Sequence, residues 1–119
     1  MRQMLPVLFL VASCAAPLAA ATTAEQEVAF GIEVAERGLW REARFRFERA
    51  VELDPANASA LNNLAIALEQ QGEFDGAREA YEKALELKPN DLYIQQNYDL
   101  FREADDKRNR KKTRRARQP

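Results

Sequence analysis

Apolar side chains recur along this chain at the spacing of helices rather than of strands. Between residues 24 and 104 they return every three or four positions, and no stretch shows the strict alternation of a half-buried strand. One stretch, FERAVELDPAN at 47–57, returns almost unchanged as YEKALELKPND at 81–91. The pattern therefore predicts helices arranged in an internal repeat.

The repeat keeps one register, since equivalent residues stand 34 positions apart. The pairs are Gly38 with Gly72, Trp40 with Phe74, Ala43 with Ala77, Phe47 with Tyr81, Ala50 with Ala84, Leu53 with Leu87 and Pro55 with Pro89. The glycines suit turns that need a left-handed residue, and the prolines end helices. Thr23 and Gln26 have the spacing of a capping box and open the first helix.

This combination of period, small residues, aromatics and terminal proline resembles the tetratricopeptide repeat (TPR) family, whose unit is two antiparallel helices. The resemblance covers 22–57, with a short lead-in, and 58–91. It implies an all-α fold: a short α-solenoid of two TPR repeats plus a C-terminal capping helix. Glu27 stands where the family usually has a large apolar residue, which we interpret as the solvent-facing side of a terminal repeat.

A capping helix is predicted over 92–106. Ile94, Tyr98 and Phe101 follow one another at i, i+4 and i+7, so they can cover the open end of the second repeat. Gln95, Asp99, Arg102 and Glu103 are expected to face water. Residues 107–119 are interpreted as a disordered tail.

Charge is distributed unevenly along the chain. The formal net charge is -1, yet residues 25–101 carry 8 Lys/Arg and 16 Asp/Glu, whereas residues 102–119 carry 9 Lys/Arg and 3 Asp/Glu. The chain therefore consists of an acidic body and a basic C-terminal segment whose charges nearly cancel.

The composition excludes most catalytic chemistry. The chain has no His, its one Cys is Cys14, and its only serines are Ser13 and Ser59. Histidine acid–base chemistry and histidine metal ligation are therefore excluded, and Ser59 has no histidine to activate it. We expect a non-enzyme without catalytic residues, cofactor or metal.

The N-terminal sequence has the features of an export signal. A cationic Arg2 precedes an apolar run at 4–12, which is too short to span a bilayer. Cleavage after Ala21 would make 1–21 a signal peptide. Alternatively, the sequence before Cys14 resembles a bacterial lipoprotein box, in which case 1–13 is removed and Cys14 is lipidated. Both alternatives place the protein outside the cytoplasm, in the periplasm, anchored to a membrane, or secreted.

The resemblance also implies a binding face, because the first helix of each TPR unit lines the inner side of the solenoid. Superposing the repeats places eight residues there: Val28, Ile32, Asn62, Asn63, Ile66, Gln96, Asn97 and Leu100. Ile32, Ile66 and Leu100 form an apolar row, which is either a groove for a partner peptide or helix or ordinary packing. The positions at which some TPR proteins grip a carboxylate carry no cation here, which argues against that activity.

The basic segment is a second candidate for binding. Its cations are Lys107, Arg108, Arg110, Lys111, Lys112, Arg114, Arg115 and Arg117. Three interpretations remain open: nucleic-acid binding, contact with an anionic membrane surface, or a solvated tail lying on the acidic body. Export argues against nucleic acid.

From the sequence we predict a non-catalytic adaptor or scaffold of the cell envelope that binds a protein or peptide on its concave face. The alternative is a nucleic-acid- or anionic-lipid-binding accessory protein acting through the basic tail. Homo-oligomerisation is a further option, because a solenoid this short leaves both ends poorly covered.

Overall fold

The computed structural model describes residues 21–119, and within that range it contains five α-helices and no strand. The helices are α1 (Ala24–Glu36), α2 (Trp40–Leu53), α3 (Ala58–Gln70), α4 (Phe74–Leu87) and α5 (Leu92–Ala116). α1 pairs with α2 and α3 with α4, while α2 packs on α3 and α4 on α5. The predicted all-α solenoid of two helix pairs and a final helix is confirmed.

Local signals set the helix ends. Thr23 caps α1 in a complete capping box with Gln26, as predicted. Gly38 and Gly72 have φ of +75° and +77°, so both turns use the left-handed conformation that glycine adopts without steric cost. The cap of α5 is Asp91, whose side chain accepts a hydrogen bond from the Ile94 amide at 3.1 Å.

Small and large side chains alternate in the core. Seven alanines of the described residues have no exposed surface, and four of them are at equivalent places in the two repeats: Ala43, Ala50, Ala77 and Ala84. Phe47 and Tyr81 are buried at equivalent places in the two repeats. Gly31 packs directly against Phe47, and a Cβ added there would overlap the phenyl ring. Close helix approach thus depends on small residues beside buried aromatic rings.

The capping function predicted for α5 is confirmed. Ile94 and Phe101 are buried. The centroid of the Phe101 ring is 5.5 Å from that of Tyr81 and 6.3 Å from that of Tyr98. On the opposite side of α5, Asp99 and its neighbours Arg102 and Glu103 are exposed. One face of α5 therefore closes the core while the other is solvated.

The interpretation of Glu27 as a solvent-facing residue is wrong. Its side chain is 3% exposed and lies between α1 and α2. Thr22 donates a hydrogen bond to it at 2.6 Å, and the guanidinium groups of Arg46 and Arg49 lie 3.4 and 3.5 Å away. The Thr22 hydrogen bond, followed by the two arginines, lowers the pKa of Glu27 below its ordinary value. A buried ion network here replaces the apolar residue usual at this position.

The expected disordered tail after residue 106 is also corrected, because α5 continues to Ala116. Asp105, buried on α5, accepts hydrogen bonds from Arg78 of α4 and from Arg108. The Arg108 guanidinium also stacks on the Phe74 ring, 3.5 Å from its centroid. These contacts hold the start of the basic segment against α4 in helical form.

Within residues 21–119, none of the helices is both long enough and apolar enough to cross a lipid bilayer. The predictions of a signal peptide and of a lipidated Cys14 fall on residues outside the described part of the chain.

Candidate partner-binding face on the first helices

The predicted apolar row lies at the surface. Ile32 of α1 is 40% exposed and Leu100, at the equivalent place on α5, is 62% exposed. Ile66 of α3 stands between them in the repeat and is half-buried against the core. A row of branched apolar side chains on α1, α3 and α5 offers more surface than packing requires.

Two shallow grooves run between α1 and α3 and share Ile32. The first has a volume of about 190 Å³ and is lined by Ile32, Ala35, Glu36, Trp40, Phe47, Asn63 and Ile66. The second, of about 370 Å³, is lined by Glu25, Val28, Ala29, Ile32, Asn57 and Ser59. Together they form a mostly apolar channel along the inner side of the first repeat.

The only charged groups that line these grooves are carboxylates. Glu25 lines one groove and Glu36 the other, and no Lys or Arg is among the lining residues. The face is thus suited to an apolar segment flanked by cations, and it has no group that would pair with a partner's carboxylate.

Two of the predicted binding amides have a different role. Asn62 is 1% exposed, and its side-chain oxygen accepts a hydrogen bond from Asn97 of α5 at 3.2 Å. Buried polar groups are normally hydrogen-bonded, and here the Asn97 amide supplies the donor for the buried Asn62 oxygen across the α3–α5 contact. This pair joins α5 to the second repeat and leaves Asn62 without access to a partner.

The remaining predicted residues are divided between surface and core. Val28 is buried against Ala50 and Ala60. Asn63 lies at the groove edge, with its amide donating to the Ser59 carbonyl oxygen at 2.9 Å. Gln96 is exposed on α5, and no other helix of residues 21–119 covers it.

Several residues of this face were not among the predicted binding residues, including Glu25, Glu36 and Tyr93. Tyr93 is 63% exposed and stands 34 positions after Ser59, which lines the second groove. Tyr93 and Leu100 are seven residues apart on α5, so Tyr93 extends the exposed apolar surface toward the start of that helix.

The basic segment forms a separate surface on α5. Lys107 donates to Glu103 at 2.7 Å, and this bond lowers the pKa of the Glu103 carboxyl. Arg108 is held by Asp105. In the described part of the chain the other six cations of the segment make no ion pair: Arg110, Lys111, Lys112, Arg114, Arg115 and Arg117.

Two helix pairs of equal length, small residues at their contacts and an inner face lined by the first helices define a helical repeat protein. Residues 28–91 match the family model for the tetratricopeptide repeat, which is more than half of the chain, so the protein belongs to the TPR family. Members of this family generally bind other proteins and typically act as non-catalytic scaffolds. A comparison with curated proteins gave no match.

Proposed function

We propose that this protein is a non-catalytic adaptor that holds a segment of another protein on its inner face. The observation that carries the proposal is the exposed apolar row of Ile32, Ile66 and Leu100 beside the two grooves. Covering one such side chain completely would stabilise a complex by at most roughly 1.5–3 kcal/mol, and less where the residue is already half-buried. Several partner side chains are therefore needed for useful affinity.

The partner segment is an amphipathic helix or an extended strand with branched apolar side chains and nearby Lys or Arg. Its apolar side chains would lie on the row, and its cations would approach Glu25 and Glu36 at the groove edges. The exposed ring of Tyr93 adds contact area at the α5 end.

The proposed place of action is the cell envelope, supported by the signal-like sequence before residue 22. The test is the intact mass and N-terminal peptide of the protein from membrane and soluble fractions of its native cell. A chain beginning at a lipidated Cys14 or near Thr22 supports this location. An intact Met1 in the cytosol would contradict it.

The binding face is tested with a photoreactive amino acid placed at position 100 and, as a matched control, at position 53. Leu53 is an exposed apolar residue of α2, away from both grooves. Crosslinking to a distinct protein from position 100 and not from position 53 supports the proposal. Leu100→Glu should abolish capture of that protein with unchanged circular dichroism, and Ile66→Glu should do the same. Capture that survives both substitutions would show that the row is not the site.

A further inference from the structure

The helical extension of α5 presents a continuous basic face. At 100° per residue, Lys107, Lys111 and Arg114 fall on one side of the helix, with Arg110 and Arg115 flanking them. All five side chains are exposed. From position 107 to position 116 the helix is roughly 14 Å long, so the face is a short rod of positive charge.

This rod is fixed relative to the body. Asp105 binds Arg78 of α4, and Arg108 stacks on Phe74, so the helix leaves the body in one direction. A straight helix cannot fold back onto its own acidic repeats as a disordered tail could. Its charges are therefore available to another molecule.

The second repeat carries a matching acidic stripe. Asp75, Glu79, Glu82 and Glu86 follow at i, i+4, i+7 and i+11 on α4, and all four are exposed. The stripe is roughly 16 Å long. None of the four makes an ion pair with a described residue, although Glu82 accepts a hydrogen bond from Tyr98 at 2.9 Å.

Within one molecule the basic face and the acidic stripe point to different sides, although Asp75 at the start of the stripe lines the same cavity as Lys112 of α5. α4 turns Phe74, Arg78 and Tyr81 toward α5, while its acidic stripe lies about 100° around the helix. Each molecule therefore displays a basic face on which only Lys107 has an ion pair, with Glu103, and an acidic stripe that makes no ion pair with a described residue.

We propose that the basic face of α5 docks on the α4 stripe of a second copy of this chain. Both faces place their charges at i, i+4 and i+7, so helices lying side by side bring opposite charges together along their length. The net charges agree with this pairing, because residues 25–101 carry 8 Lys/Arg against 16 Asp/Glu and residues 102–119 carry 9 against 3. Docking also relieves the repulsion between like charges within each stripe.

The contact is made of exposed charges, so it is weak, reversible and sensitive to salt. Raising the NaCl concentration from about 20 mM to about 300 mM shortens the Debye length from roughly 20 Å to 6 Å. The association constant should fall at least about tenfold over this range. The proposed groove is not involved, so this inference stands apart from the proposed function.

The test is sedimentation velocity of the full chain over a concentration series at both salt concentrations. Two charge-reversed chains are compared with it, one carrying R110E, K111E and R114E, the other D75K, E79K and E86K. Glu82 is left intact because it binds Tyr98. Circular dichroism at 222 nm checks that the helices of each variant are retained.

Wild type should associate at low salt, and each variant alone should remain monomeric. Mixing the two variants should restore association. The acidic α5 of the first variant can then dock on the basic α4 of the second, and the native α5 of the second on the native α4 of the first. A monomeric wild type at low salt, a variant that still associates alone, or a mixture that stays monomeric would overturn the proposal. Duplex DNA and anionic vesicles are added to the monomeric wild type in parallel. If DNA or vesicles bind in a salt-sensitive way, and R110E/K111E/R114E abolishes that binding, then the basic face binds nucleic acid or anionic lipid instead.

Discussion

Phe101 links the last helix to the repeats, so its truncation is the most direct test of how this short solenoid is stabilised. The side chain is 1% exposed and belongs to a cluster with Leu68, Ala80 and Tyr81. Phe101→Ala removes one ring of the three-ring cluster that it forms with Tyr81 and Tyr98, and it leaves a cavity where α5 meets α4.

The expected cost follows from the burial and the contacts. A fully buried Phe→Ala substitution destabilises by about 3–5 kcal/mol. Because α5 packs mainly on α4, it can move partly into the cavity, so we expect the lower end, about 3 kcal/mol. In a domain of this size each kcal/mol lowers the melting temperature by roughly 4–8 °C. The predicted decrease is therefore roughly 12–24 °C.

The assay is thermal unfolding of the full chain followed by circular dichroism at 222 nm, with urea unfolding to obtain the free energy. Leu92→Ala is the matched control, because Leu92 is on the same helix and exposed. It should change the free energy of unfolding by no more than about 0.5 kcal/mol. If Phe101→Ala melts within a few degrees of wild type, then α5 does not stabilise the repeats and its role as a cap is refuted.

Further predictions concern other buried contacts. Glu27→Leu should be neutral or stabilising, because an apolar residue replaces a desolvated ion network. Glu27→Ala should cost roughly 1–3 kcal/mol in urea unfolding, because Thr22 and the partly exposed Arg46 and Arg49 lose their acceptor. A more stable Ala variant would contradict this. Because the folded-state pKa of Glu27 is lowered, its contribution is complete above the unfolded pKa near 4.5 and is lost as the pH falls through the folded value. Acid unfolding of wild type should therefore be steeper below about pH 4.5 than that of Glu27→Leu, and equal curves would refute the assignment. Asp105→Asn should increase amide hydrogen exchange over 105–116 at least about tenfold while leaving α1 unchanged; uniform protection would show that Asp105 does not anchor the extension. Gly31→Ala should cost about 1–3 kcal/mol, because its Cβ overlaps the Phe47 ring, and an unchanged melting temperature would show that the ring moves aside freely.

Helix boundaries were the most predictable feature of this fold, because their causes are local. The capping box at Thr23, the glycine turns at 38 and 72 and the prolines after α2 and α4 act within a few residues of where they stand. The period of 34 then assigned each residue an equivalent in the other repeat. That equivalence predicted one position for Ile32 and Leu100, and both are exposed. The i, i+4, i+7 spacing of Ile94, Tyr98 and Phe101 predicted that Phe101 is buried, as the structure shows.

The candidate site was less predictable, because equivalent positions in a short solenoid do not have equivalent neighbours. Asn62 is buried where α5 packs on α3, whereas Gln96, its equivalent 34 positions later, is exposed and is covered by no other described helix. The position in the repeat predicted which residues lie on the binding face. Whether an amide there is available to a partner depends on which helix packs against it, as α5 does against Asn62.

Sequence patterns thus determined the fold class, the helix ends and the apolar row, since each depends on periodicity or on interactions within one turn. Which polar side chains are buried, and which ion pairs they form, was decided by the tertiary structure alone. Glu27 is buried because arginines of α2 approach it, and α5 continues past residue 106 because Asp105 meets Arg78 of α4. Such ion pairs join residues far apart in the chain, and a buried charge is tolerated only where the folded molecule supplies its partner.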